Sequence, residues 1–212
     1  MGDDLERFKV SVNANVVEQL SEADAKKALF SILRDDEFSK QLSNLDKKEA
    51  ILDITRILMA KELNLKPEDI TFLIAPLEKD TNAVVSRYKG NNTFTIIINE
   101  KVVCESKVFG LLVSVLHEFG HIDLMIKESK DQKVPKAVFI NSKELKSVSK
   151  WQKFGAKTKY MSNENELYAN LFSYGKIEEW LNEALQDNKK NNTRIKKYKH
   201  YTRFMEFSHV IA

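Results

Sequence analysis

Sulfur chemistry is almost absent from this chain: its only cysteine is Cys104. An intramolecular disulfide is therefore impossible, and so is a zinc module built from several cysteines. A lone thiol fits a reducing compartment. Long apolar runs are also missing. The longest apolar window, Val108 to Leu116, is interrupted by Gly110 and Ser114 and leads into charged residues. It falls short of the roughly 20 apolar residues that a spanning helix needs, so no membrane partner is expected. The first residues, Met1 to Arg7, are acidic and contain no apolar stretch of the secretory kind. The expected location is cytoplasmic. Nor does either sign of charge dominate. Lys and Arg number 34 against 31 Asp and Glu, a net +3 that is too small to argue for nucleic acid by itself.

The remaining composition, 42% hydrophobic and 31% charged over 212 residues, suits one compact domain or a small domain with a helical appendage. The expected fold class is α+β. Residues 1–66 read as a helical N-terminal region. Ser21 with Asp24 marks a helix start followed by Ala28, Leu29, Ile32 and Leu33. A second helix runs from about Lys47 to Leu63, with Ile51, Ile54, Leu58 and Leu63 on one apolar side. Ile70–Ile74 reads as a strand ended by Pro76. Segments 83–88 and 93–98 read as a hairpin about Lys89–Asn92, giving a small, mostly antiparallel sheet. Ser106 is the expected cap of the next helix, whose buried stripe is Val108, Leu111, Leu112, Val115, Phe119 and Ile122.

That helix contains the chemistry. In His117-Glu118-Phe119-Gly120-His121 the histidines are four apart and share one helix face, so both imidazoles can reach one metal ion. Glu118 follows the first histidine and is placed to act as general base on a water that the metal acidifies. The apolar stripe buries the opposite face and leaves the histidines lining a cleft. The preceding hairpin offers an edge strand, near Thr93 to Ile98, for an extended peptide. A catalytic zinc needs a third protein ligand. Asn163 to Asn170 opens a helix that offers two acids, Glu166 as the favoured ligand and Glu164 as the alternative. Asn170, one turn after Glu166, is placed to support a ligating histidine. Ala169 is small enough for the two helices to approach closely.

Together, His117-Glu118-Phe119-Gly120-His121 and Glu166-Leu167-Tyr168-Ala169-Asn170-Leu171-Phe172 resemble the gluzincin branch of the zincin metallopeptidases. The pattern is most similar to the ImmA/IrrE-like peptidases, with H-E-x-G-H followed by E-x-x-A-N-x-F-A. Ser173 stands where the last alanine of that pattern is usual. The resemblance implies a zincin-like domain over about 67–187, with zinc on His117, His121 and Glu166. It implies hydrolysis of an intracellular protein substrate such as a regulator or repressor. A related pattern occurs in the zincin domain of ArdC-like antirestriction proteins, so the alternative is a protein- or DNA-binding module on the same scaffold.

Three features stand apart from this reading. The Lys- and Ser-rich stretch 127–160 reads as a surface insertion, with a possible strand at 137–140. The basic tail, 188–212, could bind phosphate backbone, but a solvated helix face is the plainer reading. A donor to the developing oxyanion is also needed. His200 is the favoured candidate among Tyr160, Tyr168, Tyr174, Tyr198, His200 and His209. Cys104 reads as a small buried hydrophobe.

Overall fold

The computed structural model of the protein describes residues 21–35, 37–78, 81–88, 92–130, 164–186, 195–196 and 198. Its elements in chain order are α1 (Glu22–Arg34), α2 (Glu37–Lys40), α3 (Asn44–Glu62), a 3-10 turn (Pro67–Asp69), β1 (Ile70–Ala75), β2 (Ala83–Arg87), β3 (Phe94–Asn99), α4 (Glu100–Glu105), α5 (Val108–Ser129) and α6 (Glu164–Gln186). The described residues form a mostly helical α+β arrangement with a small three-stranded sheet. The chain divides into two compact units, Met1–Glu118 and Phe119–Ala212, and the division falls inside α5.

In the first unit, local chemistry sets the helix starts. Ser21 accepts from the backbone N–H of Asp24 at 3.1 Å, as its position suggests. Ser43 and Asp46 form a reciprocal capping box on α3, both bonds at 3.1 Å, so α3 begins a few residues before Lys47. This cap satisfies two N–H groups that the helix cannot. Replacing Ser43 with Ala is therefore expected to cost about 1 kcal/mol, read as a lower urea midpoint at unchanged m-value.

One apolar side was expected on α3, but Ile51, Leu52, Ile54, Thr55, Arg56, Ile57, Leu58, Met59 and Ala60 are all buried. The helix packs against α1 on one side and meets β1 on another. Its buried Lys48 donates from Nζ to the carbonyls of Val103 and Cys104 at the end of α4. A cation is favoured there, because helix C-terminal carbonyls are otherwise unsatisfied.

The sheet order is β1-β3-β2. β2 pairs antiparallel with β3, as the hairpin reading requires, but β1 pairs with β3 in parallel. The sheet is thus mixed, not mostly antiparallel. β3 is its central strand, so the segment Thr93 to Ile98 has both edges hydrogen-bonded and offers none to a peptide. Its composition explains the placement: Phe94, Ile96 and Ile98 are fully buried and the alternating positions half-buried. A strand packed so fully belongs in the middle. The free edges among the described residues are those of β1 and β2.

The chain between β3 and α5 also departs from expectation. Residues 100–105 form α4, capped by Asn99, and Ser106 ends α4 instead of starting α5. Val102 and Val103 turn inward, which leaves Cys104 exposed and not buried.

In the second unit, α5 continues to Ser129, so the first residues of the expected insertion belong to the helix and the turn after it. Residues 131–163, with the possible strand at 137–140, lie outside the described residues, as does most of the basic tail. Ile177, Trp180, Leu181 and Ala184 form the buried side of α6. Among the described helices only α5 is long and apolar enough to cross a membrane by length and composition, and 56% of that stretch is buried within the protein.

Candidate metal centre

Most of α5 is buried from Leu111 to Leu124, so it is packed on several sides and not along one stripe. Between Phe109 and Leu124 the incompletely buried positions are Gly110, Val113, Ser114, His117 and His121, which recur at three and four residues. That spacing puts them on one line down the helix. The two histidines thus lie on the less buried line of this part of the helix. Because α5 is continuous, one rigid element fixes their separation.

The third donor comes from the first turn of α6. The potential ligand atoms of His117, His121 and Glu166 all lie within 4.8 Å of one another. His121 Nε2 is 3.5 Å from Glu166 Oε1. With bonds of about 2.0–2.1 Å to nitrogen and oxygen, the edge of a tetrahedral zinc shell is about 3.3 Å. The His121–Glu166 pair is close to that edge, and all three donors, within 4.8 Å of one another, are near enough to converge on one ion.

Close packing makes this meeting possible. A Cβ added to Gly120 would lie 2.6 Å from the Ala169 Cα and 3.0 Å from its carbonyl oxygen. The backbone of α6 therefore occupies the place of a side chain on α5. Ala169 is fully buried at this contact. Its small size was legible beforehand; the need for glycine opposite it was not.

The electrostatics suit a neutral ligand. Burial pushes the His121 imidazole below its usual pKa, and the Glu166 carboxylate opposes this only in part. Its lone pair is then available near neutral pH, as metal binding requires. Glu118 is only 5% exposed. A carboxylate so buried is costly unless charge or hydrogen bonds compensate it. Asn170 is buried one turn beyond Glu166, on the same side of α6.

The remaining candidates separate clearly. Tyr168 points its hydroxyl to Asp123, at the other flank of the helix contact, and so is committed away from the histidines. Tyr174 is buried and Tyr198 half-buried. Tyr160, His200 and His209 lie outside the described residues, and the side chain of Glu164 is also outside them.

Two residues escaped the sequence reading. Lys127 donates to Asp123 Oδ2 and to the Tyr168 hydroxyl, both at 2.6 Å, and stands 5.3 Å from the centre of the Tyr168 ring. The only signal was the spacing of Asp123 and Lys127, four apart on a helix and opposite in charge. Compared with protein-family models, with curated proteins and with solved structures, the chain matches none.

Proposed function

We propose that this chain is a zinc-dependent metallopeptidase in which His117, His121 and Glu166 hold the metal and Glu118 is the general base. One observation supports this reading above the others: three residues of types suited to zinc, from two separate helices, converge within 4.8 Å. The histidines alone would be a common helical pair. A glutamate brought beside them by a second helix gives the two-histidine, one-glutamate set of catalytic zinc hydrolases.

The roles divide by position. Zinc, when bound, supplies a Lewis acid that acidifies water to a pKa near 7 and polarises a carbonyl. His121 contributes a neutral imidazole, and Glu166 contributes the negative charge of the ligand set. Glu118, adjacent to His117 and shielded from bulk water, accepts a proton at a carboxylate oxygen and returns it to the leaving amine. Its burial strengthens that exchange, because charge interacts more strongly where water is excluded. The substrate we assign is an intracellular protein, as in the ImmA/IrrE-like pattern. The edge open to an extended segment is β2 or β1, since β3 is enclosed.

The first test is elemental. Protein purified without added metal, then dialysed against limiting zinc, is expected to hold close to one zinc per chain by plasma mass spectrometry. Glu166→Ala is expected to lose most of it, and Glu164→Ala to keep it. Wild-type zinc content in Glu166→Ala would remove that residue from the ligand set.

A further inference from the structure

Glu166 is in the first turn of α6, where backbone N–H groups lack intrahelical partners and the helix is prone to fray. A ligand there needs something else to hold the helix in place. The close contact of Gly120 with Ala169 sets how near the helices come. By itself it leaves α6 free to roll about its own axis, as a rod does on a single line of contact.

The two flanks of that contact differ in chemistry. At about 100° per residue, His117 and His121 lie to one side of Gly120 on α5, and Asp123 and Lys127 lie to the other. On α6, Glu166 lies about 60° to one side of Ala169 and Tyr168 about 100° to the other. Glu166 meets His121 on the first flank at 3.5 Å. Tyr168 meets Asp123 and Lys127 on the second. A roll of α6 that withdrew Glu166 from the histidines would have to break or compress the polar contacts opposite.

We infer that Asp123, Lys127 and Tyr168 form a positioning clamp that fixes the roll of α6 and thereby holds Glu166 at the metal. The inference rests on the ligand reading proposed above. None of the three is in the ligand set; they act through Glu166. The clamp closes as a ring of three contacts: Tyr168 donates its hydroxyl hydrogen to Asp123, and Lys127 donates to both. Burial works against the Lys127 ammonium, yet Asp123 and Tyr168 hold its pKa above the usual value. Burial, reinforced by Asp123, raises that of the Tyr168 phenol.

A double-mutant cycle on zinc affinity tests the clamp, using the full chain and competition with chelators of graded strength. Tyr168→Phe keeps the ring and removes only the hydroxyl. It is expected to weaken zinc binding roughly tenfold, the size usual for groups that orient a ligand. In a Glu166→Ala background the same change is expected to have no effect on zinc, because the residue through which Tyr168 acts is gone. Lys127→Met runs the same cycle should Tyr168→Phe not fold. Unchanged affinity in Tyr168→Phe, or an equal loss in both backgrounds, would overturn the clamp while leaving the ligand set intact. Wild-type affinity in Glu166→Ala would instead overturn the ligand reading, and the clamp with it.

Discussion

Glu118→Gln is expected to keep the fold and the zinc while losing about a thousandfold in peptide hydrolysis, within the range that positioned acid–base groups contribute. The amide nearly matches the carboxylate in shape but cannot accept a proton. Retention of the fold follows from the burial of Glu118, which is 5% exposed. Gln is close to Glu in volume and shape, so it is expected to fill the same buried place without opening a cavity or forcing an overlap. Turnover of a pool of quenched-fluorescent peptides, with zinc measured on the same samples, separates the roles. Full turnover with full zinc would sink the general-base assignment. Loss of zinc together with activity would make Glu118 part of the metal's support instead. The same variant addresses the binding-module alternative, since partner binding that needs no hydrolysis would survive in it.

Gly120→Ala carries the second large effect. Ala for Gly inside a helix ordinarily stabilises by about 1 kcal/mol. Here the new Cβ would lie 2.6 Å from the Ala169 Cα, against about 3.5–4.0 Å for carbon atoms in contact. The helices must part by about 1 Å, and overpacking of this kind costs about 1–3 kcal/mol. The obstructing atoms are backbone and cannot rotate aside, so the clash outweighs the propensity. Zinc affinity should fall about tenfold or more as Glu166 moves away. Two controls sharpen the result. Ala169→Gly should not rescue the variant, because the methyl group is not what Gly120 avoids. Gly175→Ala, on the same α6 but with open space around it, should stabilise the protein by about 0.5–1 kcal/mol. A Gly120→Ala protein with unchanged melting temperature and zinc affinity would show that the helices adjust freely.

Local and periodic features were legible in the chain itself. The caps at Ser21 and Ser43 depend on side chains three residues from the N–H groups they serve, and a linear reading sees such distances. Its failure at Ser43 was one of extent, since only the later apolar positions of α3 were used. The pairing of His117 with His121 is likewise a property of one helix. Glu166 was favoured from its place at the start of a helix, one turn before Asn170 on the same face.

Position within the sheet and the flanks of the helix contact were decided elsewhere. β2 and β3 are short strands close in sequence, and their pairing is local. That β1 lies parallel on the far edge of β3 is a long-range choice, driven by the burial of Phe94, Ile96 and Ile98 on a covered face. It takes away the edge that a hairpin alone would offer. Cys104 followed the same logic: α4 turned its two valines inward and left the thiol outside. Around the candidate site, residue types and helical spacing were enough to name the three side chains, His117, His121 and Glu166, that come within 4.8 Å of one another. The tertiary structure alone decided that Gly120 must lack a side chain and that Asp123 and Lys127 would find Tyr168. The reason is physical: periodicity places a side chain on a face of its own helix, but which face meets which is settled by packing two helices at backbone contact.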